Sequence, residues 1–381
     1  MLPTPTPDAL AHSQRVTAYL RSLIEDADGW IPFSRYMEAA LYAPGLGYYA
    51  AGAMKFGAAG DFVTAPEMTP LFGRTLAHAI APVLAETGGE VLELGAGSGR
   101  LAADVLGELE RTNALPARYC ILEVSADLRQ RQQETIAREL PHLRERVQWL
   151  DALPGHFSGV ILGNEVLDAL PVELVHWTEA GPKGRGVALD GESFVWQDRP
   201  IADAALRARA EALNLPPGYV SEINLAAEAL IASLAQSLDR GLILMVDYGF
   251  SASEYYHPQR HMGTLRAHYR HHALDDPFYL PGLCDLTAHV DFSAVAQAGI
   301  AAGLELSGYT SQASFLLNSG LTELLMQTPP TDAAAYLPQA NAVQRLVSPA
   351  EMGELFKVIG FGTGGIAPLA GFARGDRRHA L

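Results

Sequence analysis

One segment constrains this chain more than any other: Glu90-Val-Leu-Glu-Leu-Gly95-Ala-Gly97-Ser-Gly99-Arg100. An apolar run with an acidic residue near its end meets three glycines at alternate positions, and a helical pattern begins directly after them. Glycine at such a turn tolerates positive φ and lets a ligand approach the backbone. Downstream, short apolar runs alternate with helical stretches. Strands are expected near 90–94, 118–122, 147–150, 160–163 and 241–247, with helices around 101–111 and 128–139. That alternation predicts an α/β fold with a parallel, doubly wound sheet, its ligand lying beyond the carboxyl ends of the strands.

The remaining chain organises around that core. Asp8 is expected to cap a helix running to about Ile24, residues 45–60 read as an irregular loop, and 69–85 as a helix with Pro70 in its first turn. The interval 172–197 breaks the rhythm and looks like a β-hairpin with extra turns. Helical segments are expected within 202–239 and over 293–302, 313–327 and 350–356. Four regions follow: 1–88, a helical and loop region covering the ligand site; 89–171, a Rossmann-like binding half; 172–240, a hairpin and helical insertion; and 241–381, the rest of the sheet with substrate-side insertions.

Composition narrows the class. Of 381 residues, 49% are hydrophobic and 18% charged, ample for a large core. A formal charge of −16 repels phosphate backbones, so nucleic acid is disfavoured as a partner and a basic peptide favoured. Only Cys120 and Cys284 occur, so no disulfide framework is expected and a reducing compartment is. No run approaches the ~18 apolar residues of a membrane span. The first thirty residues lack the pattern of a signal or transit peptide, so a cytoplasmic address is expected, without stable membrane insertion.

The turn itself discriminates between cofactors. A dinucleotide GxGxxG/A pattern wants a small residue where Arg100 stands. The observed E-x-G-x-G-x-G spacing instead resembles the first motif of Rossmann-type S-adenosylmethionine methyltransferases. The next strand, Tyr119-Cys-Ile-Leu-Glu123, ends in a carboxylate suited to ribose hydroxyls, and Asp151 after the third could meet the adenine amine. S-adenosyl-L-methionine is the expected cofactor, with another nucleotide or an empty tight turn as alternatives.

A wider resemblance follows from several blocks taken in order. They are Gly60-Asp-Phe-Val-Thr-Ala-Pro-Glu67, the glycine turn, Leu122-Glu-Val-Ser125, and Asn164-Glu-Val-Leu-Asp-Ala-Leu-Pro171. Asp247-Tyr-Gly249, Gly263-Thr-Leu-Arg266, Pro281-Gly282, Asp285-Leu-Thr287 and Val290-Asp-Phe292 continue the series. From about residue 30 to at least residue 360 the chain resembles the MidA-like methyltransferase family. The resemblance implies a seven-strand Rossmann-like methyltransferase sheet with an N-terminal helical region, an inserted hairpin and C-terminal additions. It also implies that Gly95, Gly97 and Gly99 hold the cofactor, with Asn164 and Glu165 facing its methyl group. Thr64, Glu67, Glu93, Glu123, Val124 and Asp151 complete the candidate cofactor site. Mitochondrial members of the family are protein arginine methyltransferases acting on a subunit of respiratory complex I and supporting its assembly. A protein client bearing the target arginine, such as a complex I subunit, is therefore the implied partner, and the chain looks like a bacterial relative.

A guanidinium starts fully protonated, and a carboxylate grips its planar fork through paired hydrogen bonds. Glu165, directly after an apolar strand, is the first candidate for that grip. Asp168 could share its face if a helical turn follows; otherwise Asn164 merely caps a helix and Glu165 favours its positive end. Glu67 and Asp61 either line the cofactor mouth or belong to ordinary helix-start and turn chemistry. Asp247 reads first as fixing the turn after its strand. His271 matches a family histidine and could accept a proton, or is a solvated loop residue. His257 and His261 have i,i+4 spacing, but Pro258 and Gly263 oppose a helix, so no metal is expected. Tyr36, Tyr42, Tyr48, Tyr49 and Phe56 either hold a cationic side chain or simply pack. Arg266 pairs with an acidic group or receives a substrate carboxylate. Two other functions stay open: a small-molecule O- or N-methyltransferase, and a non-catalytic assembly factor that binds the cofactor. The 172–197 hairpin offers a surface for a homodimer.

Overall fold

The computed structural model describes residues 2–50 and 64–381, which fall into two compact units. One unit holds 64–166, Ala229–Ser251 and Phe292–Leu381; the other holds 2–50, Leu167–Glu228 and Ala252–Asp291.

The first unit is an α/β layer structure. It begins with α1 (Pro70–Thr87), β1 (Glu90–Leu94), α2 (Arg100–Arg111), β2 (Tyr119–Leu122), α3 (Ala126–Glu139) and β3 (Val147–Leu150). The strands β4 (Phe157–Asn164), β5 (Leu238–Phe250), β6 (Glu305–Ser311) and β7 (Phe356–Thr363) complete it. Val160, Ile161 and Leu162 of β4 and Leu242 through Val246 of β5 are all buried, as strands covered on both faces require. Helix α2 buries Leu101, Ala102, Val105, Leu106 and Leu109 at helical spacing, and Leu76, Ile80 and Val83 of α1 join the same core. Thr69 caps α1 by accepting from Leu71 N at 3.2 Å, and Ser125 caps α3 by accepting from Leu128 N at 3.4 Å.

The sheet runs in the order β6-β7-β5-β4-β1-β2-β3. Pairings from β5 through β3 are parallel, whereas β7 is antiparallel to both β5 and β6. The α/β class is present, and the main path through the sheet has the seven strands that the family resemblance implies. Strands β6 and β7 escape a pattern reading because Gly308, Gly360 and Gly362 interrupt them and look like breakers. A Cβ at Gly308 would overlap the Phe372 ring, and one at Gly360 would stand 2.8 Å from it. The glycines are there so that the ring can lie on the strands. The expected helix over 313–327 divides into Gln312–Asn318 and Leu321–Leu325, and a further helix, Ala333–Val347, encloses Pro338.

In the other unit, helix Pro7–Asp26 is capped by Thr6, which accepts from Ala9 N at 3.3 Å; Asp8 falls in the first turn instead. The expected hairpin is part of a five-stranded antiparallel sheet. Glu173–Thr178, Gly181–Asp190 and Ser193–Arg199 are joined there by Trp30–Pro32 and Val220–Ile223. The last two strands are too short for alternation to register. A three-stranded sheet, Arg266–Tyr269, His272–Leu274 and Asp285–Thr287, lies in the same unit. Among the described residues no helix is long and apolar enough to cross a membrane.

Candidate cofactor and methyl-transfer site

Strand register decides which residues share an edge. Leu94 lies beside Leu122 and Gly163, Leu122 beside Leu150, and Asn164 beside Val246. The glycine turn, Glu123, Asp151 and Glu165 therefore all follow strands at the carboxyl edge of one sheet, where α/β folds bind ligands, and Asp247 lies within β5 one residue beyond the Asn164–Val246 pair.

Gly95, Gly97 and Gly99 have φ values of 58°, 53° and 81°, in the left-handed region that favours glycine. Their surroundings differ. A Cβ on Gly99 would stand 2.9 Å from Gln132 Cα, so this glycine lets α3 approach. Among the described residues, a Cβ on Gly97 would meet nothing within 4 Å. Arg100 pairs with Asp104 at 3.2 Å and Glu139 at 3.5 Å. The Ser98 hydroxyl donates to the Glu67 carboxylate, tying the short helix Ala65–Met68 to the turn, with Thr64 at that helix's cap position. Asp61, with the rest of Gly60–Val63, and Phe56 lie outside the described residues.

Glu93 stands within the sheet and is 2% exposed; Tyr119 donates its hydroxyl to Glu93 Oε2 at 2.7 Å. Burial lifts its carboxyl to about 7, the Tyr119 bond opposing that rise and the charge of Glu123 adding to it. Glu123 directly follows β2 and is also buried. It accepts from Ser125 N at 2.8 Å and from Gln132 Nε2 at 2.9 Å. Burial raises its pKa, and these bonds work against the rise. Next to it Val124 is 80% exposed, an unusual place for valine. Asp151 is exposed and accepts from Arg129 Nη2 at 2.7 Å. The same guanidinium nitrogen donates to the carbonyls of Glu123 and Leu150, both at 3.1 Å. Neither Arg129 nor Gln132 stood out in the sequence, because apolar periodicity does not flag a polar residue in the strongly polar helix α3.

Beyond β4 the backbone turns sharply. Glu165 has φ 54°, a conformation that non-glycine residues adopt rarely and that clusters at functional sites. Its N–H donates to Val246 O at 2.9 Å, and the next N–H, of Val166, donates to Asp247 Oδ2 at 3.1 Å. Strand β5 continues to Phe250, so the turn expected directly after Asp247 is absent; the buried carboxylate instead accepts from Tyr248 N at 2.9 Å through Oδ1 and holds the backbone next to Glu165 through Oδ2. Asn164 Nδ2 donates to Glu165 Oε1 at 3.1 Å, whereas Asn164 Oδ1 is buried with no partner among the described residues. No helix follows Asn164, so the helix-cap alternative does not hold and Asp168 shares no helical face with Glu165.

Asp168 belongs to the other unit, where it is buried and its carbonyl accepts from Ala288 N at 3.1 Å. His271 also lies there, exposed at the tip of a two-residue hairpin turn with Arg270, the two having φ of 64° and 46°. The tyrosines pack. Tyr42 and Tyr49 stack at 5.4 Å, Tyr49 donates to Asp285 Oδ1 at 3.0 Å, and Tyr36 donates to Pro277 O at 3.2 Å. Arg266 pairs with Asp275 at 3.4 Å. Among the described residues no cluster of His, Cys, Asp or Glu could hold a metal.

These residues fit a nucleoside cofactor. Among the described residues Gly97 fronts open space, Val124 presents a bare apolar side chain for a base, and Asn164 Oδ1 is an orphaned acceptor at the sheet edge. Glu123 keeps acceptor capacity, since an ionised carboxylate can take about four hydrogen bonds. Fold and edge together define a Rossmann-like cofactor-binding transferase. Residues 75–310 match the family described as "Putative S-adenosyl-L-methionine-dependent methyltransferase", and the chain belongs to that family. The protein arginine methyltransferase NDUFAF7, mitochondrial, of Mus musculus is 30% identical, the match covering 91% of this chain and 84% of the mouse protein. The Danio rerio protein of the same name is 29% identical, over 87% of this chain and 83% of its own. A Burkholderia thailandensis protein whose crystal structure holds S-adenosyl-homocysteine is 53% identical, with a TM-score of 0.97 over 100% of both chains. The chain is an S-adenosyl-L-methionine-dependent methyltransferase of the MidA-like type, with S-adenosyl-L-methionine as its cofactor.

Proposed function

We propose that the enzyme methylates an arginine side chain of a protein client, with Glu165 as the residue that holds the guanidinium. The observation that carries this is the backbone at Glu165. A carboxylate is held in the left-handed region at the sheet's carboxyl edge, by Val246 on one side and Asp247 on the other. A side chain kept in a costly conformation, of order 1–3 kcal/mol, is one whose direction matters. The relatives of Mus musculus and Danio rerio, named as protein arginine methyltransferases, support this substrate class over a small molecule or a non-catalytic role.

When bound, S-adenosyl-L-methionine supplies an electrophilic methyl group on a sulfonium. Val124 would cover the base, Glu123 accept from the ribose hydroxyls, and the open face of Gly97 admit the rest of the cofactor. Glu165 then binds the guanidinium fork, turns one nitrogen toward the methyl carbon and stabilises the cationic product. It can also take the proton that this nitrogen loses. Asn164, bonded to Glu165 through Nδ2, fixes the carboxylate's rotation and keeps Oδ1 for a donor. An overall charge of −16 favours a basic client at long range. A subunit of respiratory complex I is the first client to test.

The test uses methyl-labelled cofactor, the purified enzyme and a lysate from cells lacking its gene, followed by hydrolysis and identification of the labelled amino acid. Label is expected in methylarginine. It should fall by about 100-fold or more in Glu165→Gln while S-adenosyl-homocysteine binding persists. Label in another amino acid, or undiminished methylarginine in that variant, would refute the assignment.

A further inference from the structure

We infer that Gln132 is a positioning residue for the cofactor, setting the orientation of the Glu123 carboxylate and the height of the glycine turn with a single amide. Gln132 lies in α3 and is fully buried. Its Nε2 donates to Gly97 O at 3.1 Å and to Glu123 Oε2 at 2.9 Å, and its Oε1 accepts from Trp149 Nε1 at 2.9 Å. One side chain thus touches a residue after β1, a residue after β2 and, in Trp149, a residue within β3. The amide's orientation is fixed by chemistry. An indole N–H can only donate, so the atom facing Trp149 must be oxygen. The nitrogen then donates to a carbonyl and to a carboxylate oxygen, both acceptors.

That arrangement has a consequence for binding. Without the Gln132 bond, Glu123 Oε2 would have to find another donor inside the fold or turn toward water. Held by Gln132 at Oε2 and by Ser125 N at Oε1, the carboxylate cannot rotate, and its remaining acceptor capacity stays aimed in one direction. The contact with Gly97 O fixes the other side of the same space, because Gly97 is the glycine whose Cβ side is open among the described residues. Backbone packing reinforces this, since Gln132 Cα is the atom that a Cβ on Gly99 would strike. Replacing the amide by an apolar isostere removes two donated bonds, one of them to a charged group. Charged-group bonds contribute about 1.5–3 kcal/mol each, a tenfold or greater change in affinity where the bond serves binding.

This inference rests on the proposal that Glu123 meets the ribose, so the test separates the two. Calorimetry would measure the affinities of S-adenosyl-homocysteine and its 2′,3′-dideoxyribose analogue for wild type, Gln132→Met and Glu123→Gln, with thermal unfolding run alongside. Wild type should prefer the ribose ligand. Gln132→Met should bind it about tenfold more weakly, and the preference over the dideoxy analogue should shrink with it. Equal weakening of both ligands would mean that Gln132 does not act through the Glu123 carboxylate, and would overturn the inference. An unchanged preference in Glu123→Gln would instead overturn the ribose assignment. Should Gln132→Met not fold, Trp149→Phe releases the amide's oxygen without touching Gln132. It should narrow the ribose preference in the same direction, and an unaltered preference there refutes the positioning role.

Discussion

Two sets of glycines in the same α/β unit show why the letter alone does not reveal its purpose. At Gly308 and Gly360, on the antiparallel edge, the place of a side chain is taken by the ring of Phe372. At Gly97, on the parallel half, no atom of the described residues lies within 4 Å of that place. Both sets interrupt apolar runs, and both are consistent with a close approach to backbone. The difference lies in what approaches: in one case the protein's own core, in the other something the protein binds. Changes on the filled side should cost stability, and changes on the open side should cost affinity.

The largest effect should come from the filled side. In Gly308→Val the new side chain has no room beside Phe372 and sits on a paired strand that cannot yield easily. A loss of about 3 kcal/mol or more in denaturant unfolding is expected. Combining it with Phe372→Ala should cost much less than the sum of the two single changes, because the ring is the obstacle. Strict additivity would show that the glycine is not there for the ring.

Glu93 extends the filled side to the strand that leads into the turn. Its carboxyl, lifted by burial to about 7 from an ordinary 4.5, keeps its proton in the folded state where the unfolded chain has already lost it. The folded state then binds more protons than the unfolded one, so stability is complete below about pH 4.5 and declines as pH rises toward 7. Glu93→Gln keeps an acceptor for Tyr119 and removes this decline. The variant should be more stable than wild type at pH 8, by about 3 kcal/mol at most. Parallel stability–pH curves for the two proteins would contradict a buried, protonated Glu93.

On the open side, Gly97→Val should divide the two readouts. Strain at a left-handed position costs stability of order 1 kcal/mol. The side chain itself enters the space the cofactor needs, so affinity for S-adenosyl-homocysteine should fall about 10- to 100-fold. A fold destabilised as much as in Gly308→Val, with binding intact, would erase the distinction between the two sets of glycines.

Much of this site was legible because its residues follow strand ends. An apolar run followed by a glycine or a carboxylate places Gly95–Gly99, Glu123 and Glu165 at one edge before any coordinates exist. Burial was less legible. Glu93 and Glu123 look alike in sequence, yet Glu93 points to Tyr119 within the sheet while Glu123 directly follows its strand and meets Gln132. Gln132 and Arg129 were invisible because their roles depend on long-range partners, Trp149 and the ends of two strands. Strands β6 and β7 were obscured by glycines whose reason, Phe372, lies in a separate segment. The alternative of a helix cap at Asn164 fails for a related cause: contacts from β5, far away in sequence, hold Glu165 in a left-handed turn instead.

The smallest effect sharpens the comparison most, because it removes stability from the question. Val124 is 80% exposed, so it contributes little to the core, and Val124→Ser should change unfolding by no more than about 0.5 kcal/mol. Its only reason to be apolar is then what lies against it. If that is the adenine ring, the loss of a covered valine surface should cost about 1 kcal/mol of binding, a weakening of several-fold for S-adenosyl-homocysteine. Homocysteine carries no base, so the comparison ligand is adenosine, which should weaken by the same factor. Were both affinities unchanged, the base would have to lie elsewhere along the edge, and the space in front of Gly97 would have to be assigned to another part of the cofactor.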